Sequence, residues 1–135
     1  MRPLRGDAFV PTSKAMTNVM LVEDEDDARE ILATALEEAG YKILRADNGA
    51  VAWRLLQEHE GRCDLILLDL MMPTMSGWDF RRKQREDVRF SQIPVLLMSA
   101  GAHIATVAGE LGAAGYVSKP VEIPELLQSI KRYSS

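Results

Sequence analysis

The feature that most constrains the fold is an apolar run of four residues, Leu65 to Leu68, with neither helical nor alternating periodicity. A short run of this kind, closed by a segment rich in Pro, Ser and Gly, is typical of a strand buried on both faces, with helices packed on each side. Asp69 directly follows the run. Because an isolated buried carboxylate would cost several kcal/mol, we expect Asp69 at the open carboxyl end of the strand, where α/β sheets bind ligands.

Four more apolar segments alternate with helical patterns along the chain. The predicted strands are residues 18–22, 41–46, 65–68, 93–98 and 116–118. Helices are predicted over residues 28–39, 52–60, 78–89 and 104–111, with a fifth starting at Pro124. In the first helix, apolar residues recur at the spacing of an inward-facing stripe that includes Ile31. Five alternations predict an α/β fold, a five-stranded doubly wound parallel sheet with helices on both faces.

Composition limits the domain organisation and the classes of partner. Residues 1–17 have no periodicity and are predicted to form a flexible N-terminal extension, leaving residues 18–133 as one domain. The net charge is −4, and the part after residue 17 carries about −6, which argues against nucleic-acid binding and against an anionic membrane surface. The single cysteine excludes an intrachain disulfide. No apolar stretch reaches membrane-spanning length, so we expect a cytoplasmic protein.

Polar residues follow the predicted strands at the points where the strands end. Glu23 and Asp24 follow the first strand, Asp69 the third, Ser99 the fourth and Lys119 the fifth. Parallel strands bring these ends to one edge of the sheet, where three carboxylates would repel one another. Mg²⁺, which prefers carboxylate, water and phosphate oxygens, would relieve that repulsion. A cation, an ammonium and a hydroxyl around a free carboxylate make a phosphoryl-binding site with Asp69 as a possible nucleophile.

Four short motifs together resemble the receiver domain of two-component response regulators. They are Glu23-Asp24 after an apolar strand, Asp69-Leu-Met-Met-Pro-Thr-Met-Ser-Gly77, Met98-Ser99-Ala100 and Tyr116-Val-Ser-Lys119-Pro120. Each motif alone is weak, but their order and spacing together are specific, and the resemblance covers residues 18–133. It implies the flavodoxin-like fold of CheY-like receivers.

The resemblance also implies roles for individual residues. Asp69 would be the phosphoacceptor, taking a phosphoryl group from a phosphohistidine. Glu23, Asp24, Asp69 and the main-chain carbonyl of Met71 would form the Mg²⁺ site, some of them through water. Glu23 stands where an aspartate is commoner in the family. Lys119 would pair with Asp69 and then with the phosphoryl oxygens.

Three further residues would belong to the switch. Ser99 would move to the acyl phosphate, and Tyr116 would turn inward when Ser99 moves. The peptide bond before Pro120 would be cis. A sensor histidine kinase or a phosphotransfer protein would supply the phosphoryl group. A downstream protein would read the face made by the fourth helix, the fifth strand and the fifth helix.

The favoured interpretation is a stand-alone receiver that signals by protein contact and is not an enzyme beyond its own phosphorylation and dephosphorylation. One alternative is an aspartyl phosphatase, although Met71 occupies the position two residues after the nucleophile where such an enzyme needs a general acid. Another is a scaffold that works without phosphorylation. The basic run from Arg81 to Arg85 is interpreted as a solvated helix face rather than a nucleic-acid contact.

Overall fold

The computed structural model describes residues 17–72 and 75–134. The strands are β1 (Asn18–Val22), β2 (Lys42–Ala46), β3 (Leu65–Asp69), β4 (Val95–Ser99) and β5 (Gly115–Ser118). The helices are α1 (Asp26–Glu38), α2 (Gly49–Glu58), α3 (Gly77–Arg85), α4 (Ile104–Glu110) and α5 (Ile123–Ser134). The predicted alternation of strands and helices is confirmed.

The five strands form one parallel sheet in the order β2-β1-β3-β4-β5. The chain runs outward from β1 to β2 and then crosses to β3 on the other side of β1, so the direction of winding reverses between β1 and β3. Doubly wound sheets bind ligands at such a reversal, beyond the carboxyl ends of the strands. The predicted doubly wound fold is therefore confirmed.

Two hydrophobic layers sandwich the sheet. One layer contains residues of α2, α3 and α4, among them Ala52, Phe80 and Ile104. The opposite layer is formed with α1 and α5 and includes Leu36 and Ile130. All five residues of β3 and all five of β4 are buried, as a strand with helices on both faces requires.

Two predictions about helix faces are wrong. Ile31 was expected in the inward stripe of α1 but is 65% exposed. The buried face of α1 is instead formed by Leu32, Ala33 and Leu36, which belong to the core layer with residues of α5 and of the sheet. Arg81 was expected on a solvated face but is only 6% exposed.

The third helix is also shorter than expected, because it ends at Arg85 rather than continuing to residue 89. The chain turns there so that Phe90 can enter the core, where it is 1% exposed. The Gln84 side chain stabilises this turn, since its amide donates to the carbonyls of Phe90 at 2.9 Å and Ile93 at 3.1 Å. The residues predicted as the extension lie outside the described residues except for Thr17, which is buried and accepts a hydrogen bond from the Lys42 N–H.

Gly77 is required by the close approach of α3 to the end of β3. A Cβ atom at this position would lie 2.5 Å from the Asp69 carbonyl oxygen and 2.8 Å from the Leu70 Cα. Both atoms are backbone, so they cannot move aside without shifting the phosphoacceptor candidate itself. A glycine at the start of α3 thus sets how closely that helix packs beside Asp69.

The substitution Gly77→Ala is expected to lower the free energy of unfolding by about 2 kcal/mol or more, because overpacking here displaces backbone. Gly109→Ala is the matched control, since a Cβ there meets nothing within 4 Å and alanine favours the interior of α4 by about 1 kcal/mol. Urea unfolding of both variants measures the difference. Equal stability of the two variants would contradict the account of Gly77.

Candidate functional site

The strand register brings the predicted site residues to one edge of the sheet. Asp69 is the last residue of β3 and lies beside Met98 of β4. Ser99 ends β4 beside Ser118, the last residue of β5, and Lys119 follows immediately. Glu23 follows Val22, which pairs with Leu68. Four side chains from distant parts of the sequence thereby meet at the reversal of the sheet.

Three carboxylates form the acidic part of the site. One carboxylate oxygen from each of Glu23, Asp24 and Asp69 lies within 4.8 Å of the others. The side chains of Glu23 and Asp69 are only 1% and 3% exposed, whereas Asp24 is half-buried. Two nearly inaccessible carboxylates at this separation repel each other strongly, because little water screens their charges.

Lys119 lies between the two buried carboxylates. Its Nζ is 2.9 Å from Glu23 Oε1 and 3.1 Å from Asp69 Oδ2, and it donates a hydrogen bond to Asp69. The Lys119 side chain is 29% exposed, so the ammonium can still reach a ligand from solvent. One positive charge therefore partly neutralises two negative ones, and the cluster retains a net negative charge.

Backbone donors fix the orientation of both buried carboxylates. The Met71 N–H donates to Asp69 Oδ1 at 3.1 Å, and the Glu25 N–H donates to Glu23 Oε2 at 3.2 Å. Arg29 of α1 donates to the Glu23 carbonyl at 3.0 Å and so holds the loop after β1. The carboxylates consequently have little freedom to move apart and relieve their repulsion.

The second oxygen of Glu23 lacks a hydrogen bond. Glu23 Oε1 forms an ion pair with Lys119 Nζ at 2.9 Å but has no other polar partner. Among the described residues it is the one buried side-chain oxygen or nitrogen without a hydrogen-bond partner. A buried, unsatisfied carboxylate oxygen is unfavourable unless a ligand completes its coordination. This oxygen, together with Asp24 and Asp69, offers the all-oxygen donor set that Mg²⁺ prefers, so the residues present fit a hard divalent cation.

The electrostatics of the cluster act on Asp69 and Lys119 in characteristic ways. Burial, and then the charge of Glu23, raises the pKa of Asp69 from 3.8 to about 6, against the opposing effects of Lys119 and the Met71 N–H. Burial lowers the pKa of Lys119, but its contacts with Glu23 and Asp69 outweigh this effect and the net shift is upward. The lysine is thus positively charged at neutral pH, and the aspartate is a carboxylate of raised basicity.

The remaining predicted residues are Ser99, Tyr116, Met71 and Pro120. Ser99 is 7% exposed, and its Oγ accepts a hydrogen bond of 3.1 Å from the Gly101 N–H. Tyr116 is 45% exposed and Met71 is 71% exposed. The peptide bond between Lys119 and Pro120 is cis.

Sequence reasoning found the members of the cluster but missed one buried charged residue elsewhere in the fold. Arg81 falls at helical spacing with Gly77, Phe80 and Gln84, all of which are buried. This periodicity was a readable signal, because these positions differ by three, four and seven residues and share one helix face. The basic residues that follow Arg81 favoured the interpretation of a solvated helix face instead.

The sequence matches the profile of the response regulator receiver domain over residues 19–131. The polar-differentiation response regulator DivK of Brucella anthropi is 33% identical, with 86% of this chain and 94% of DivK aligned. The phosphate regulon transcriptional regulatory protein PhoB of Pseudomonas aeruginosa is 36% identical over 84% of this chain. The chain spans about half the length of PhoB, 49%, and 16% of the rice two-component response regulator-like protein PRR73.

Solved structures agree with this assignment. The chemotaxis response regulator CheY4 of Vibrio cholerae superposes with a TM-score of 0.79 at 28% identity, covering 87% of this chain and 98% of CheY4. Within the described part of the chain, no helix has the length and hydropathy of a membrane span.

The raised pKa of Asp69 makes a testable statement about stability. The pKa of this carboxyl is higher in the folded protein than in the unfolded chain. The free energy of unfolding therefore falls as the pH rises from about 4 to 6, because the folded state must release a proton that it binds more tightly than the unfolded chain does. In EDTA at pH 7, Asp69→Asn should therefore raise the free energy of unfolding by about 1–3 kcal/mol.

The gain should shrink towards zero below about pH 4, where the native carboxyl is protonated too. Asp27→Asn is the matched control, since Asp27 is an exposed carboxylate in the first turn of α1. Urea titrations across this pH range measure the effect. If Asp69→Asn is no more stable than the native protein at pH 7, repulsion at Asp69 does not destabilise the folded protein and the account of this site is contradicted.

Proposed function

The chain belongs to the response regulator receiver family, and on this premise we propose that it accepts a phosphoryl group on Asp69 from a phosphohistidine in a Mg²⁺-dependent reaction. Phosphorylation then changes a protein-binding face. The donor is a sensor histidine kinase or a phosphotransfer protein, and the readout is a contact with another protein. DivK is named a response regulator, and 94% of its length aligns with this chain, which supports the proposal that a receiver of this length can act as a regulator.

The observation that carries this proposal is the arrangement of Lys119 between Glu23 and Asp69. Lys119 makes favourable contacts with Glu23 Oε1 and Asp69 Oδ2, but one ammonium cannot balance three carboxylates whose oxygens lie within 4.8 Å of one another. The negative charge that remains is unfavourable as a purely structural feature and becomes favourable when a divalent cation binds. The arrangement thus supports a site for ligand binding.

The chain's own residues suggest how the transfer proceeds. An Asp69 carboxylate oxygen attacks phosphorus, and the acyl phosphate forms as the bond to the histidine nitrogen breaks. The Met71 N–H fixes the orientation of the attacking carboxylate. Lys119 remains charged and donates to the incoming phosphoryl oxygens. Mg²⁺, held by Glu23, Asp24, Asp69 and the Met71 carbonyl, would supply electrostatic stabilisation of the transferred group.

The switch follows from the added charge. A phosphoryl group brings about −1.5 to −2 charges and three acceptor oxygens to the end of β3. The Ser99 hydroxyl, which now accepts from the Gly101 N–H at 3.1 Å, would donate to one of those oxygens instead. Tyr116, now 45% exposed on β5, would turn inward into the space that Ser99 leaves. The face of α4, β5 and α5 would then have two conformations, which phosphorylation repopulates.

Incubation with acetyl phosphate and Mg²⁺ tests the phosphoacceptor. We expect one phosphoryl group per native chain by intact-mass spectrometry, none on Asp69→Asn, and normal labelling of the control Asp27→Asn. Labelling should also fail in EDTA and weaken in Glu23→Gln and Asp24→Asn. Label retained on the Asp69→Asn variant would overturn the proposal, and sustained hydrolysis of a phosphomonoester would favour a phosphatase.

The stability of the acyl phosphate is a second test. Met71 and Gly101 lie two residues after Asp69 and Ser99, and neither offers a strong hydrogen-bonding group that could orient an attacking water. We expect the phosphorylated native protein to persist for minutes rather than seconds. Met71→Asn, which adds an amide at this 71% exposed position, should shorten the lifetime, whereas Met71→Leu should not. A native half-life of seconds would show that another group activates water.

A further inference from the structure

Arg81 is a buried cation that the proposed phosphorylation chemistry does not use. It lies on α3 and is 6% exposed, although arginine is almost never buried without a carboxylate partner. None of the salt bridges among the described residues includes it. Its charge must therefore be compensated in another way.

The compensation comes from the carboxyl end of α4. Arg81 Nε donates to the Leu111 carbonyl at 3.0 Å, and one terminal nitrogen donates to the Gly112 carbonyl at 2.8 Å. The other terminal nitrogen donates to Gln84 Oε1 at 2.6 Å. The last carbonyls of a helix lack partners within that helix and carry partial negative charge. Leu111 is the C-cap of α4, so the planar guanidinium binds one carbonyl at the end of the helix and a second carbonyl, that of Gly112, just beyond it.

Gln84 holds the guanidinium in place. It is fully buried, and its amide is also tied to the carbonyls of Phe90 and Ile93. Through Gln84, the Arg81 head group is therefore connected to the turn between α3 and β4 as well as to its own helix. Gly112 adopts a φ of 64°, the left-handed conformation that ends a helix and turns its last carbonyls outward.

The amino end of α4 packs into the core through Ile104, which is 6% exposed, but it has fewer polar anchors than the carboxyl end. His103 precedes the helix and makes no side-chain capping bond. The chain before it runs through Ala100, Gly101 and Ala102, all exposed, and the Gly101 N–H donates to Ser99 Oγ. This is the hydroxyl that the proposed switch withdraws.

From this asymmetry we propose that Arg81 is a positioning residue that anchors the carboxyl end of α4, so that the helix moves at its amino end when Ser99 is drawn to the phosphoryl group. The inference that the amino end of α4 moves depends on the proposed function, whereas the inference that Arg81 fixes the carboxyl end does not. Since α4 has only seven residues, it is too short to persist without tertiary contacts. The tertiary contacts of α4 are the core packing of Ile104 and Ala108 and, at its carboxyl end, the Arg81 bonds.

Amide hydrogen exchange in the unphosphorylated protein tests the anchor. The Leu111, Gly112 and Ala113 amides are hydrogen-bonded to the carbonyls of α4, so they report on its carboxyl end. In Arg81→Met, which keeps the apolar stem but loses the donors, these amides should exchange about tenfold faster or more. Arg82→Met, an exposed neighbour paired with Asp79, should leave them unchanged.

The amides of β1 and β3 report whether each variant is folded. If Arg81→Met does not fold, Arg81→Lys replaces it, since the charge and stem remain but the planar fork is lost, and an intermediate acceleration is expected. Exchange at residues 111–113 that matches the native protein in the folded variant would overturn the anchor.

Beryllofluoride with Mg²⁺, a mimic of the phosphoryl group, tests which end moves. In the native protein we expect changes in amide exchange at residues 101–105 and little change at 111–113, whereas in Arg81→Met both ends should change. Equal changes at both ends of native α4 would overturn the moving-end inference. Failure of beryllofluoride to perturb Asp69 and its neighbours would instead contradict the proposed function, and the anchor would still be decided by the unliganded comparison.

Discussion

The contact of one lysine with two buried carboxylates is the interaction on which the rest of this structure depends. Lys119 Nζ lies about 3 Å from both Glu23 and Asp69, and neither acid is accessible enough for water to screen its charge. The sheet creates this contact, because β1, β3 and β5 end at the same edge. The helices maintain it, since α3 begins with a glycine that lets its backbone approach the end of β3. The fold thus keeps like charges close together at a cost that ligand binding can offset.

The fold and the members of the site could be predicted from local features of the sequence. Apolar runs without helical period identified the strands, and the position of Asp69 directly after one of them marked the edge of the sheet. The contact between Lys119 and Glu23 could not be predicted this way, because a side chain that follows one strand can reach several neighbours. The burial of Arg81 was not predicted, because a run of basic residues on a helix is usually exposed to solvent. The spacing of Arg81 from the buried residues Phe80 and Gln84 is the signal in the sequence that it lies on the buried face.

A half-buried lysine and a buried arginine have different roles in the proposed account. Lys119 faces carboxylates and keeps part of its surface open to solvent, so it can exchange partners when a ligand arrives. Arg81 faces carbonyl oxygens and a buried amide, so its bonds are short and fixed. The helix α4 is linked to the end of β4 through Gly101 and Ser99 and to the turn between α3 and β4 through Arg81. Under the proposed switch, a change of charge at Asp69 would reach the surface through the first of these links.

The central claim is that the repulsion among Glu23, Asp24 and Asp69 is relieved by a divalent cation, and the thermal unfolding midpoint as a function of Mg²⁺ concentration tests it most directly. A ligand that binds only the folded state raises the midpoint progressively with its concentration. The account predicts this rise for the native protein and its loss in Asp24→Asn, which removes the most accessible of the three carboxylates. A native midpoint that does not respond to millimolar Mg²⁺, or one that rises equally in Asp24→Asn, would contradict it.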